Sequence, residues 1–441
     1  MRIQLKPGLP LVHRGPSTVQ IGVDPRHGTV LDGLTEADLD LLHELATGVD
    51  DSRLALPTDA GPAQISGLDR ILRARILVNL LTDTGVLQRS HSGRAALLRL
   101  AGSRPRLAPD AAAWSIVHPD SGDGWELLAE RRRAVVELRG GGRTALMLAG
   151  SLAAAGVGTV RLLGGNDVVA ADVGPGGAAP TDVGDPTAQV AARVVARTVG
   201  LPPPAPAPRP APTTIPTRRG ASADPADPAD PAGSGASART PGSARAAGSG
   251  TSEPVERADG DPPPDLVVLV ERAAADPTRG DRLLAADLPH LSVVVRETSV
   301  VIGPLVVPGR SACLRCLDLH RTERDPQWPL VLAQLLAPAD RRVPHEETAL
   351  AQVAAGVTAL QVLGHLDGHG APACVGATLE VELPDGLACR RPWPAHPSCG
   401  CCWPPAPPAP IPDRARRRRT TRGSPKAQDG RGGPPTTTMH T

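Results

Sequence analysis

Residues 134–163 read Ala134-Val135-Val136-Glu137-Leu138-Arg139-Gly140-Gly141-Gly142-Arg143-Thr144-Ala145-Leu146-Met147-Leu148-Ala149-Gly150-Ser151-Leu152-Ala153-Ala154-Ala155-Gly156-Val157-Gly158-Thr159-Val160-Arg161-Leu162-Leu163. Ala134 to Leu138 is a short apolar strand. Gly140 to Ala145 fits G-x-G-x-x-[G/A]. Ala145, Leu148, Ala149 and Leu152 then form one stripe at helical spacing, and Gly156 can end the helix. Thr159 to Leu163 is a second strand. A glycine-rich turn between strand and helix lets backbone N–H groups approach a pyrophosphate at the helix N-terminus. The strand–turn–helix context carries this signal, not the bare motif. Arg143, beside the glycines, is a candidate anion contact; the alternative is a solvated residue at the helix start.

Downstream, Asp185-Pro186 reads as N-cap and N1 of a helix bearing Val190, Val194 and Val195, which Gly200 stops. After residue 263 the α/β pattern resumes. Asp265 to Val270, Leu291 to Val295 and Val300 to Val307 are strand runs, and a long helix spans about Glu346 to Leu363. Two further strands, Ala377 to Leu383 and Leu387 to Arg391, flank a Pro384-Asp385-Gly386 turn. Upstream, residues 1–100 form a small α+β module. It has β-prone runs at Ser17 to Val23 and Thr29 to Leu31, then a helix capped by Thr35 with Asp38 in the capping-box position and Gly48 at its end. A second helical stretch follows, ended by Gly85.

The chain has 441 residues with 47 Gly and 50 Pro, but no Phe or Tyr and only five Trp. Much of the Pro, Ala and Gly lies in 201–263, including three Ala-Asp-Pro repeats from Ala223 to Pro231, so this insert is expected to be disordered. The Pro-rich tail 404–441, basic around Arg416 to Arg419, has the same expectation. The net charge of +1 argues against a nucleic-acid-binding surface, and the missing aromatics argue against base stacking. The N-terminus lacks an apolar targeting segment, and Thr144 to Val160 is short for a membrane span. A cytoplasmic protein without a membrane partner is expected.

Five of the seven Cys fall in two clusters, Cys313-x-x-Cys316 and Cys399-Gly400-Cys401-Cys402. Two such pairs make a tetrahedral thiolate site for structural Zn²⁺. Cys313, Cys316 and Cys399 are expected ligands. The fourth is Cys401 or Cys402, and Cys402 is favoured because it restores C-x-x-C spacing. A redox dithiol is the competing reading. Cys374 and Cys389 read as packing residues in or near the last hairpin.

Together these features resemble the ThiF/MoeB superfamily, the fold of ubiquitin-activating enzymes. The resemblance rests on the unit at 134–156, Ala155-Gly156-Val157-Gly158, Gly303-Pro304-Leu305-Val306, Pro308-Gly309, Cys313-Leu314-Arg315-Cys316 and the terminal cysteines. The N-terminal module resembles PqqD-like winged-helix peptide-recognition domains, with a generic α+β module as the alternative. The whole is most similar to ThiF-like, cyclodehydratase-associated leader-peptide-binding proteins of azole-forming peptide (bacteriocin) pathways. The resemblance implies an α/β fold with a Rossmann-like ThiF-type sheet. It divides into 1–100, the peptide-binding module; 101–200, the first half of the ThiF-like domain; 201–263, the insert; 264–403, the second half with the zinc site; and 404–441, the tail. It also implies a homodimer.

Adenylating relatives bind ATP and activate a C-terminal carboxylate, which needs a ribose-binding acid, cations on the triphosphate and Mg²⁺ ligands. This chain departs at each place. Gly164-Gly165-Asn166 follows the second strand where the acid belongs, and Asp167 is displaced. Thr187 stands where the family has a phosphate-binding Lys. Asp276 and Arg279 are only neighbours of the expected metal-binding position. These departures speak against ATP and Mg²⁺. Two functions follow. One is a non-catalytic scaffold that binds a precursor or leader peptide and presents it to a peptide-modifying partner enzyme. The other is an adenylyltransferase with a rewired nucleotide site using Gly140, Gly141, Gly142, Arg143, Asp167 and Asp276. A dinucleotide-binding oxidoreductase is a third reading, which leaves the paired cysteines unexplained.

Overall fold

The computed structural model describes residues 2–50, 52, 65–89, 94–119, 123–204, 262–337 and 346–402. Most of the 201–263 insert and the 404–441 tail therefore lie outside the described residues. The N-terminal part contains β1 (Arg2–Leu5), β2 (Leu11–His13), β3 (Val19–Ile21), β4 (Thr29–Leu31), α1 (Glu36–Thr47), β5 (Val49–Asp50), α2 (Ile65–Asp83) and β6 (Leu87–Arg89). Strands β2, β3 and β4 form an antiparallel meander, and β1 pairs with β5 and β6. These elements close on a core of their own, which includes Ile3, Ile21, Leu42, Leu45 and Leu81. The expected capping box is present: Asp38 N–H donates to the Thr35 hydroxyl, and Thr35 N–H to the Asp38 carboxylate. Gly48 ends α1 at φ 95°, where a side chain would be strained.

Helices α3 (Arg94–Arg99), α4 (Arg104–Val117) and α5 (Trp125–Arg131) follow. The main body then runs β7 (Val135–Gly140), α6 (Arg143–Ala154), β8 (Thr159–Leu163), α7 (Thr187–Val199), β9 (Leu266–Arg272), α8 (Pro277–Ala285), β10 (His290–Val295), β11 (Ser299–Val306), α9 (Leu314–Arg324), α10 (Trp328–Leu336), α11 (Thr348–Asp367), β12 (Ala377–Glu382) and β13 (Ala388–Pro392). The seven main-body strands form one sheet in the order β13-β12-β11-β10-β9-β7-β8. Strands β8, β7, β9 and β10 are parallel, and β11, β12 and β13 continue antiparallel. The β9 run Leu266-Val267-Val268-Leu269-Val270 is apolar throughout because both faces are covered. Leu266, Val268 and Val270 join a core with α6, α7 and α11, while Val267 and Leu269 meet Leu283 of α8 and Leu314 of α9.

Helix α6 is buried from Thr144 to Gly150 and again at Leu152 and Ala153, so its low polarity reflects a core position rather than a membrane span. Among the described residues, α11 is the one helix long and apolar enough to cross a membrane, and its Leu350, Ala354, Ala355 and Val362 pack in that same core. The chain leaves β7 for β8 on one side and returns to β9 on the other. This puts a topological switch point at the C-terminal ends of β7 and β9, where open α/β sheets bind ligands.

A buried ion pair ties the preceding helices to the far end of α11. Arg131 Nε and Nη2 donate to the two carboxylate oxygens of Asp367 at 2.7 and 2.5 Å, and its guanidinium lies 4.7 Å from the Trp114 ring centroid. Both side chains are 1% exposed. Asp367→Ala strands the Arg131 charge in an apolar interior and is expected to cost about 3–5 kcal/mol of unfolding free energy in urea. Arg133→Ala, at an exposed pair with Glu130, is expected to cost less than about 1 kcal/mol.

Candidate functional site

The glycine-rich turn lies at the switch point, for steric reasons that are local. Gly140 pairs with Val270, and a Cβ on Gly140 would stand 2.0 Å from the Val270 carbonyl oxygen. Gly142 has φ 91° and serves as N-cap of α6 without a capping side chain of its own. The missing cap comes from the far side of the insert. Glu346, just before α11, accepts the Thr144 N–H at Oε2 (2.8 Å) and an Arg272 guanidinium N–H at Oε1 (3.0 Å). A Cβ on Gly142 would meet that Oε1 at 2.1 Å, so glycine is required where the carboxylate docks.

The other groups around the turn are committed as well. Arg143 donates from Nε to the Val173 carbonyl (3.0 Å), and from Nη1 to the Glu346 carbonyl (2.7 Å) and the Thr348 hydroxyl (2.9 Å). The candidate anion contact is thus a brace between α6 and the start of α11. Asp167 is exposed, with its backbone bridged to Pro186. Gly165 packs on the turn instead, and a Cβ there would stand 2.8 Å from the Gly140 carbonyl oxygen. The buried Thr187 hydroxyl donates to the Asn166 carbonyl. Asp276 caps α8 by accepting the Thr278 N–H at 2.9 Å, and Arg279 pairs with Glu271 at 3.4 Å. Burial raises the Glu271 carboxyl to about 7. Asp185 bonds Arg193 at 2.6 Å, and Pro186 takes the N-cap position of α7 that Asp185 was expected to fill.

Cys313 is the N-cap of α9, and the following turn brings Cys316 back beside it, at 3.8 Å between sulfurs. Cys399 lies 3.5 Å from Cys313, and Cys401 lies 3.4 Å from Cys316. All four sulfurs fall within 4.8 Å of one another. A tetrahedral centre with metal–sulfur bonds of about 2.3 Å requires sulfurs roughly 3.8 Å apart, so the donor set fits a structural metal. The fourth sulfur is Cys401, not the Cys402 that C-x-x-C spacing favoured. Gly400, at φ 77°, turns the chain so that Cys401 faces inward, and the Cys402 thiol donates to the Ser311 carbonyl at 3.1 Å. The cluster brings residues 399–402 against the loop after β11. The Cys313 S–H donates to Cys316, which holds the Cys316 thiol down to about 4, while burial pushes Cys401 and Cys402 up. Cys374 is buried, its thiol raised to about 12, and Cys389 is exposed on β13.

A second group, His320, Glu323 and His396, adjoins the cysteines and had no signal in the spacing. His396 Nδ1 accepts the Ser398 N–H at 3.1 Å, so the ring proton sits on Nε2 and faces Glu323 Oε1 at 2.8 Å. A metal on Nε2 would require that proton to move. The group is better described as a brace, since His396 N–H also donates to Cys316 Sγ at 3.3 Å.

No family model matches the chain, and no curated protein matches it. Solved structures do. Escherichia coli MccB with MccA-N7isoAsn aligns over 91% of this chain and 99% of its own, at TM-score 0.56 and 13% identity. The microcin C7 biosynthetic enzyme MccB in complex with N-formylated MccA aligns over 91% and 100%, at TM-score 0.56 and 14% identity. PaaA aligns over 87% and 98%, at TM-score 0.55 and 14% identity. At such identities the likeness is one of fold alone, that of an α/β body built on the seven-stranded mixed sheet.

Proposed function

We propose that the chain is a ThiF-like scaffold that binds a precursor (leader) peptide and presents it to a partner peptide-modifying enzyme, such as an azoline-forming cyclodehydratase. The observation that carries this reading is apolar surface on the N-terminal module, which already has a closed core. Leu72, Ile76 and Leu80 repeat every four residues along α2 at 42%, 67% and 46% exposure. Val12 and Val30 are exposed on the edge strands β2 and β4. An extended peptide adding to such an edge gains main-chain hydrogen bonds, and its alternate side chains find apolar contacts. The fold neighbours solved with MccA are complexes with a peptide, which supports the same direction. The commitment of Arg143, Thr187, Asp276 and Arg279 to internal partners favours a scaffold over the adenylyltransferase reading.

The full chain is expected to bind, in calorimetry, a precursor peptide encoded beside its own gene. Ile76→Asp should weaken that binding about tenfold or more, roughly 1.4 kcal/mol. If no neighbouring candidate peptide binds, the reading fails.

The cysteine cluster, in this reading, holds structural zinc through Cys313, Cys316, Cys399 and Cys401. Four thiolates leave no open position for catalysis. Purified Cys402→Ser protein is expected to retain about one zinc per chain by elemental analysis, whereas Cys401→Ser should lose it and become protease-sensitive after β13. Equal retention in both variants would contradict this ligand set.

A further inference from the structure

We propose that Glu346 is a built-in competitor for phosphoryl groups: its carboxylate occupies an otherwise competent anion seat and closes the glycine-rich turn to phosphate-bearing ligands. The inference stands apart from the peptide reading. A helix N-terminus carries partial positive charge and unsatisfied N–H groups, and it is commonly completed by an anion. Here the anion belongs to the protein. Glu346 is 3% exposed, and its two oxygens divide between the Thr144 N–H and Arg272. Arg272 is in turn aimed by Asp172, 3.9 Å away, whose other oxygen is held by the Val169 N–H at 3.0 Å.

The donors have the form a phosphoryl oxygen would use, a backbone N–H in the first turn of α6 and a guanidinium from the end of β9, and Gly142 leaves room for the ligand. What stands in that room is Glu346. Several contacts keep it there. Arg143 grips the Glu346 carbonyl and the Thr348 hydroxyl, and Glu347 caps α11 by accepting the Leu350 N–H at 2.8 Å. Consecutive residues therefore cap two helices, Glu346 the α6 helix and Glu347 its own. An incoming phosphate must displace a carboxylate tethered beside the seat. It would also leave that carboxylate without its partners in a buried position.

The test titrates the full chain with inorganic pyrophosphate and reads the melting temperature. Wild type is expected to show no shift. Glu346→Ala frees the seat, and at tenfold its dissociation constant pyrophosphate should raise the melting temperature by about 3–6 °C. Adding Arg272→Ala to that variant should abolish the gain. Glu346→Gln keeps the packing and removes the charge, so it decides the matter if Glu346→Ala does not fold, and it too should gain a shift. A shift in wild type equal to that of the variants overturns the proposal. So does the absence of any shift in folded Glu346→Gln and Glu346→Ala protein.

Discussion

The contact between the Glu346 carboxylate and the start of α6 organises the middle of this molecule. It joins residues 202 positions apart in sequence. On one side lie β7, the glycine-rich turn and α6, and on the other the start of α11, which lines the same core. Arg272 at the end of β9 completes the junction, so the two halves of the sheet on either side of the insert meet around one carboxylate. Helix α6 is buried on nearly every side, and that packing fixes where its N-terminus lies. Any ligand entering at the switch point has to contend with this junction first.

A second junction closes the other end of the fold. Four cysteine sulfurs converge beside Trp393, which is buried and donates from its indole N–H to the Thr378 hydroxyl at 3.0 Å. Arg321 and Arg324 lie over the same ring at 5.8 and 5.1 Å. A chain without Phe or Tyr has few large rings with which to fill a periphery. It places its Trp residues where they do the most: Trp114 beneath the buried Arg131, and Trp393 beside the sulfur cluster.

The strand–turn–helix–strand unit at 134–163 was legible because its signals are local. Apolar runs, glycine positions and helical spacing are read within one element and its neighbour, and the structure places β7, α6 and β8 within about two residues of those readings. The Thr35–Asp38 capping box was legible for the same reason. Glu346 was not, because a cap supplied from 202 residues away leaves no local pattern. It read only as the start of a long helix. Cys401 was ranked behind Cys402 because spacing counts residues and does not register the turn at Gly400. Asp172 and His396 were invisible for a similar reason: Arg272 and Glu323, with which they pair, lie on other elements. Arg143 was singled out as a candidate anion contact, whereas its partners in the structure are carbonyl and hydroxyl oxygens of the chain.

The central proposal is that the glycine-rich turn at the switch point is closed from within by Glu346, so that the chain does not turn over a nucleotide there. ATP–pyrophosphate exchange by the full wild-type chain, with Mg²⁺ and with the neighbouring precursor peptide present or absent, tests it most directly. The account predicts exchange at the protein-free background under both conditions. Exchange that rises on addition of the peptide would contradict it.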